Sequence, residues 1–130
     1  MATIKAYTDL SQSKKLAEIL PIESADMYYS ELENDSFPQL IRVHLTNENW
    51  KQLYPDVLLP AWSLAALIDM LPPKIVYEAT EYFLEIDKNP DKSYDVVYNW
   101  KYFPLLACNN ETLVDACYEI ILKLHELKML

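Results

Sequence analysis

The chain has 130 residues, of which 52% are hydrophobic, and this length and composition allow one domain with a sizeable buried core. Acidic residues outnumber basic residues by 20 to 11, and the resulting net charge of -9 repels phosphate backbones and anionic membrane surfaces. Glycine is absent, which excludes the glycine-rich loops that bind nucleotide phosphates, because those loops need backbone without a Cβ atom beside the phosphate.

The N-terminal part of the chain predicts one helix. Asp9 is a typical helix-capping residue, and Gln12 three positions later completes the pattern of a capping box. Apolar residues at helical spacing follow, and Pro21 marks the end of the segment. We therefore expect a helix over residues 10–20.

The next segment predicts two strands around a polar turn. Residues 27–32 and 40–45 contain aromatic, branched and other apolar side chains and flank the polar residues 33–36, as in a β-hairpin. A short helix over residues 38–45 is the alternative. The threonine that opens residues 46–53 is a cap signal for one or two helical turns.

Residues 59–73, LPAWSLAALIDMLPP, predict a short buried helix. Ser63 is a good N-cap, because its hydroxyl can accept a hydrogen bond from a free N–H group in the first turn. Leu64 and Leu67 fall on one stripe and Asp69 is the only charge, as in a helix that is apolar nearly all round. Since Ser63 lacks the flanking glycines of a nucleophile elbow, we assign it the capping role.

A second hairpin is predicted by alternation with a period of two. Apolar and acidic residues alternate in TEYFLEID (residues 80–87), as in a strand with one face in the core. In SYDVVYNW (residues 93–100) four side chains share a face: Tyr94, Val96, Tyr98 and Trp100. Pro90 lies between the two segments, at the second position of a type I turn. Without glycine, positive φ angles are expected at turn sites with asparagine or aspartate: residues 34–35, 89–91 and 109–110.

The strongest helix signal covers residues 110–128. Leu113, Cys117 and Ile120 belong to an apolar set at helical spacing, and this set is wide enough to cover two surfaces. The elements together predict a single α+β domain over residues 1–130. Its expected parts are an antiparallel sheet of about four strands in two hairpins, an N-terminal helix, a short buried middle helix and a long C-terminal helix packed on one face.

Three phrases of the sequence resemble a known group of proteins. They are KKLAEILPIESADMYY, LPAWSLAALIDMLP and ETLVDACYEIILKLHELKML, and they cover a large part of the chain. The chain resembles a family of small, uncharacterised proteins from Bacteroides-type gut bacteria and their prophages and mobile elements. The resemblance implies a phage or mobile-element context, and it transfers no functional residue because the family has no assigned activity.

The histidines and cysteines are too few and too far apart to predict a metal site or a nucleophile pair. No two of them are closer than eight positions: His44, Cys108, Cys117 and His125. Cys117 lies on the apolar side of its predicted helix, where burial would raise the pKa of the thiol and weaken it as a nucleophile. We expect no metal and no cofactor, with a zinc site or a Cys–His pair as the alternative.

Acidic residues of the second hairpin are the next candidates for chemistry. Glu81 and Glu85 alternate with the apolar residues of their strand, and Asp95 is expected across the hairpin on the same face. A solvated strand face is the preferred interpretation, because antiparallel sheets commonly have one polar side. A two-carboxylate site or a magnesium site is the alternative.

Aromatic residues are the only feature that suggests a surface function. The chain has 10 tyrosines and 3 tryptophans, and aromatic side chains beside acids are common in protein interfaces. The candidates near turns or on mixed faces are Tyr28, Tyr29, Trp50, Tyr54, Tyr77 and Tyr102. A large aromatic core whose hydroxyl groups reach water is an equal alternative.

These observations predict a non-enzymatic protein-interaction module that acts through an acidic, tyrosine-rich surface. The partner is expected to be another protein or a second copy of the chain. An acidic inhibitor, immunity protein or nucleic-acid mimic is one alternative, and a small enzyme with a carboxylate or Cys–His site is another. The sequence shows no apolar run of membrane-spanning length and no signal-peptide core, so we expect a cytoplasmic protein without membrane or direct nucleic-acid binding.

Overall fold

A computed structural model of the chain describes residues 5–30, 39–42 and 58–130. Contacts divide the chain into two compact units, Tyr7–Ala66 and Met1–Ala6 together with Leu67–Leu130. Helices and antiparallel sheets both occur in the described residues, which confirms the α+β class. The single domain expected over residues 1–130 stays a prediction.

Helix α1 (Leu10–Ile19) begins at the capping box that the sequence predicts. The N–H of Gln12 donates to Asp9 Oδ1 at 2.8 Å, and the N–H of Asp9 donates to Gln12 Oε1 at 3.1 Å. These two bonds satisfy N–H groups that a helix start would otherwise leave without partners. Leu16 is fully buried and marks the packed side of the helix.

Strand β1 (Met27–Ser30) is the centre of a three-stranded antiparallel sheet. It pairs with β2 (Gln39–Arg42), which confirms the first predicted pair of strands. It also pairs with β3 (Leu58–Ala61), which the sequence analysis did not predict. Pro60 is compatible with β3 because this strand lies at the side of the sheet, where the missing N–H breaks no ladder bond. Two expected elements lie outside the described residues, the turn at 33–36 and the helix at 46–53.

The core of the first unit contains a buried polar network around Thr8. The N–H of Thr8 donates to the carbonyl of Trp62 at 2.9 Å, and the N–H of Trp62 donates to Thr8 Oγ1 at 3.1 Å. Thr8 Oγ1 also lies 2.8 Å from Ser13 Oγ, and the Thr8 carbonyl accepts from the Tyr29 hydroxyl at 2.7 Å. All four residues are buried, so these bonds satisfy polar groups that would otherwise destabilise the fold.

Helix α2 (Leu64–Met70) begins after Ser63, as the sequence predicts. The N–H of Ala66 donates to Ser63 Oγ at 3.2 Å, which is the capping bond. Ser63 also donates to the carboxylate of Asp26, through its N–H at 2.8 Å and through its hydroxyl at 2.5 Å. The helix is buried on one side rather than all round, since Leu67 is fully buried whereas Ile68 is 36% exposed.

Four antiparallel strands form the second sheet in chain order: β4 (Lys74–Tyr77), β5 (Thr80–Lys88), β6 (Tyr94–Trp100) and β7 (Phe103–Asn110). Strands β5 and β6 are the predicted second hairpin, with Ile86 opposite Val96. Their turn has Pro90 at its second position and is closed by the N–H of Lys92, which donates to the Asn89 carbonyl at 2.9 Å. In the part of the chain that the structure describes, the two predicted hairpins therefore belong to separate sheets, of three and four strands, rather than to a single sheet.

Positive φ angles occur in the described residues at positions other than asparagine and aspartate. Glu78 and Ala79 form the two-residue turn between β4 and β5, with φ of 49° and 65°. Lys101, in the turn between β6 and β7, has a φ of 54°. The turn at residues 89–91 is present, but the positive φ there belongs to Lys92, at 71°, and not to asparagine or aspartate. No turn occurs at residues 109–110, because Asn109 and Asn110 end strand β7. Tight hairpin turns require left-handed backbone, and here glutamate, alanine and lysine adopt it.

Helix α3 (Leu113–Glu126) packs against β6 and β7, which confirms the long C-terminal helix on one face of a sheet. Its cap is Thr112, whose Oγ1 accepts from the N–H of Asp115 at 3.1 Å. The helix begins later than expected because Asn110 belongs to β7. Its buried residues are Val114, Ala116, Cys117, Ile120, Ile121 and Leu124. We call the sheet side that carries the buried Val96, Tyr98 and Cys108 the inner face, and the opposite side the outer face.

Candidate functional site

Among the described residues, the most exposed aromatic side chains lie at the tight turn between β6 and β7, which we call the aromatic turn (residues 100–103). Tyr102 is 93% exposed and Phe103 is 65% exposed. Trp100, which is 39% exposed, stacks on Phe103 with ring centroids 6.1 Å apart. Lys101 Nζ lies 4.9 Å from the centre of the Trp100 ring, in a cation–π contact. The turn therefore presents a large apolar surface that the described residues do not cover.

A shallow depression lies beside this turn on the outer face, with a volume of about 450 Å³. Val97 and Ala107 are directly opposite each other in β6 and β7 and both line it. Because the side chain of Ala107 is only a methyl group, the surface of the outer face is depressed at this point. Tyr102 and Pro104 line one end. The pairing of β6 and β7 is irregular after Tyr98, so that Pro104 lies opposite Asn99.

Two carboxylates line the depression, and each accepts a hydrogen bond from an amide on a neighbouring strand. Asn99 Nδ2 lies 3.4 Å from Glu85 Oε2, and Asn109 Nδ2 lies 2.6 Å from Asp95 Oδ1. The structure thus brings together two of the three predicted acids. Glu81 does not line the depression, and its carboxylate is 3.1 Å from Lys74 Nζ.

The turn between β5 and β6 supports one of these carboxylates, Asp95, through Asn109. Ser93 donates to Asp91 Oδ1 through its N–H at 2.9 Å and through its hydroxyl at 2.6 Å. These two bonds lower the pKa of the Asp91 carboxyl, the side-chain bond more than the backbone bond. Ser93 Oγ also accepts from Asn109 Nδ2 at 3.1 Å, the same nitrogen that binds Asp95. Asn109 is therefore fixed by two partners, and it in turn orients Asp95.

The predicted interaction residues divide into three groups. Tyr28 and Tyr29 are buried, so the expectation that they belong to a surface is wrong. Burial raises the pKa of Tyr29 to about 12, and neighbouring Tyr7 and Asp9 add to the shift. Tyr77 and Tyr102 are exposed, by 38% and 93%. The other two, Trp50 and Tyr54, lie outside the described residues.

The thiols are arranged as buried core groups. Cys108 and Cys117 are free and buried. Burial raises the pKa of the Cys117 thiol to about 12, with a further contribution from Cys108. Burial likewise raises the pKa of Cys108. A thiol with a raised pKa is a weak nucleophile at neutral pH, and His125 is exposed whereas His44 lies outside the described residues.

The described ranges contain no group of three or more histidine, cysteine, aspartate or glutamate side chains that could hold a metal ion. Within the same part of the chain, every helix is too short or too polar to span a bilayer. Comparison of the chain with protein-family models, with curated proteins and with solved structures gave no match.

Proposed function

We propose that the protein is a non-enzymatic interaction module that binds a protein partner through the aromatic turn. The observation that carries this proposal is the exposure of Tyr102 and Phe103, by 93% and 65%. Aromatic side chains bury about 150 to 250 Å² each when they are covered, so a partner that covers this turn gains substantial apolar contact. From the resemblance of its sequence we infer that this module is encoded by a phage or mobile element of a gut bacterium, and from the sequence pattern that it acts in the cytoplasm.

The backbone of the aromatic turn supports a binding role. The turn connects two paired strands and has only two residues between the last pair, Trp100 and Phe103. Stacking of these two rings holds them in one arrangement before a partner arrives. Binding therefore requires less ordering of these two side chains, and ordering reduces affinity when it must occur during binding.

A small carboxylate enzyme is the second candidate, because Glu85 and Asp95 line one depression. Enzymes with paired carboxylates commonly keep one of them protonated by shielding it from water. Here the depression is open, and both acids belong to a solvent-facing side of the sheet. This geometry favours binding over catalysis.

The proposal is tested by affinity capture from a lysate of a Bacteroides-type bacterium, with the full chain as bait. The double substitution Tyr102→Ala with Phe103→Ala should weaken capture of a specific partner by about 30-fold or more, as expected for aromatic residues at the centre of an interface. Its thermal unfolding should change only slightly, because Tyr102 is exposed and Phe103 loses mainly its stacking contact with Trp100.

The matched control is Tyr7→Ala, since Tyr7 is 40% exposed but lies in the other compact unit. This variant should capture the partner normally. Equal capture by the aromatic-turn variant would contradict the proposal. Light scattering at high protein concentration determines whether the partner is a second copy of the chain.

A further inference from the structure

We propose that the depression beside the aromatic turn binds an arginine side chain of the protein partner. This inference rests on the proposed function and adds the chemistry of the group that the partner supplies. Four features support it: the shape of the depression, its charge, the aromatic side chain of Tyr102 that lines it (the aromatic wall), and the backbone groups of β7 at the sheet edge.

The shape of the depression suits one long side chain. Its low point lies at Val97 and Ala107, which provide apolar contact for the methylene groups of such a side chain. Asp95 lies on β6, the strand that pairs with the strand of Ala107, and Glu85 lies on β5, one strand further away. An arginine that packs its stem on the apolar residues therefore brings its charged end among the carboxylates.

The depression has a net negative charge, because its two carboxylates outnumber the one cation at its edge, Lys123, whose Nζ lies 3.0 Å from the Ala107 carbonyl. Glu85 and Asp95 line the depression, and among the described residues no lysine or arginine lies within ion-pair distance of either carboxylate. Lys101, which precedes Tyr102 in the sequence, has its ammonium group over the Trp100 ring. Each hydrogen bond from Asn99 and Asn109 goes to a single carboxylate oxygen. These bonds orient the carboxylates without neutralising them, so a cationic group is the complementary ligand.

The aromatic wall favours arginine over lysine. Tyr102 lines the depression and is 93% exposed, so its ring is available to an incoming group. A guanidinium group is planar and weakly hydrated; it can stack on an aromatic ring while its N–H groups bind carboxylates. A compact, strongly hydrated ammonium group gains less from the same arrangement.

The edge of the sheet indicates that the partner approaches the outer face instead of adding a strand to β7. The carbonyl of Ala107 accepts a hydrogen bond from Lys123 Nζ at 3.0 Å, so this carbonyl is already bonded and is less available to an added strand. Pro104, also in β7, has no N–H to donate. Lysine and proline are typical of sheet edges that are protected from strand addition.

The test uses the full ¹⁵N-labelled chain and a capped heptapeptide in which threonine and arginine alternate. Titration should shift the backbone amide signals of Val97, Ala107 and Asn109 in a saturable way. The same peptide with citrulline in place of arginine removes the charge and keeps the shape, and it should produce no saturable shift. The double substitution Glu85→Gln with Asp95→Asn should weaken binding of the arginine peptide about 5-fold or more.

The matched control is the double substitution Glu81→Gln with Asp69→Asn. It makes the same change in net charge at exposed acids that do not line the depression, and it should bind the arginine peptide as the unsubstituted chain does. Preserved amide spectra of both variants establish that they fold.

Three results would overturn the inference: no saturable shift at millimolar peptide, equal shifts with the citrulline peptide, or equal weakening in both charge variants. The proposed function is judged separately. If the partner captured through Tyr102 and Phe103 binds normally to the Glu85→Gln with Asp95→Asn variant, the arginine site is wrong and the interaction module remains. If the variant with Tyr102→Ala and Phe103→Ala also captures the partner normally, both the arginine site and the interaction module are wrong.

Discussion

The two faces of the second sheet are built from the same strands but have opposite environments. On the inner face, Val96 and Tyr98 are fully buried against the layer that contains α3. On the outer face, Val76 and Phe83 are 57% and 48% exposed. Alternation places apolar residues on both sides, and within the described residues helix α3 packs on the inner side. The apolar residues of the outer face are therefore available for binding, whereas those of the inner face maintain the fold.

The largest expected effect comes from shortening a fully buried side chain of α3, the helix that packs against β6 and β7. Ile120 is fully buried, and Ile120→Ala should reduce the free energy of unfolding by about 2 to 5 kcal/mol, because it removes apolar contact and leaves a cavity. Urea denaturation measures this change. A loss below about 1 kcal/mol would mean that the inner face is packed loosely, and the contrast between the two faces would fail.

A second prediction concerns pH and the inner-face thiols. The Cys117 thiol has an ordinary pKa of 9.0 in the unfolded chain and about 12 in the folded chain. Between these values the unfolded chain has released a proton that the folded chain retains, so stability is fully present below pH 9 and falls as pH rises.

We expect a loss of about 1 kcal/mol between pH 9 and pH 10, measured by urea denaturation. The Cys117→Ala variant should show a smaller slope, although Cys108 continues to contribute because burial raises its pKa too. An unchanged slope in the variant would show that Cys117 is accessible to water in the folded state.

The smallest effect is expected on the outer face. Phe83 is 48% exposed, and threonine is also favourable in strands, so Phe83→Thr should change the free energy of unfolding by less than about 1 kcal/mol. The same denaturation experiment compares it directly with Ile120→Ala. A cost equal to that of Ile120→Ala would show that the outer face is covered by other parts of the chain.

The elements with a strong local pattern were predicted from the sequence. The capping box at Asp9, the cap at Ser63 and the alternation in β5 and β6 each depend on neighbours within a few positions. Strands β3 and β4 were missed because four residues are too few to establish a period. Strand β7 was missed because its apolar residues run consecutively, and its final asparagines resembled a turn.

The candidate site was predicted only in part, because its members depend on strand pairing. Tyr102, Glu85 and Asp95 were selected from the sequence, but Tyr28 and Tyr29 were selected with the same argument and are buried. Their strand is the centre of its sheet, with a pairing partner on each side, which a single sequence does not reveal. Trp100 is placed by alternation on one face with Val96 and Tyr98 and is not among the predicted interaction residues, nor is Phe103. The density of aromatic residues in NWKYF was the available signal for both.

The turn at Glu78 and Ala79 has a consequence for engineering the protein. Both residues have a β-carbon in left-handed backbone, which penalises the native conformation, while the same β-carbon also restricts the denatured chain. The substitution Ala79→Gly relieves this steric strain at a site that is remote from Tyr102 in the sequence. Thermal tolerance and partner affinity can thus be adjusted independently, by substitutions in different hairpins of one sheet.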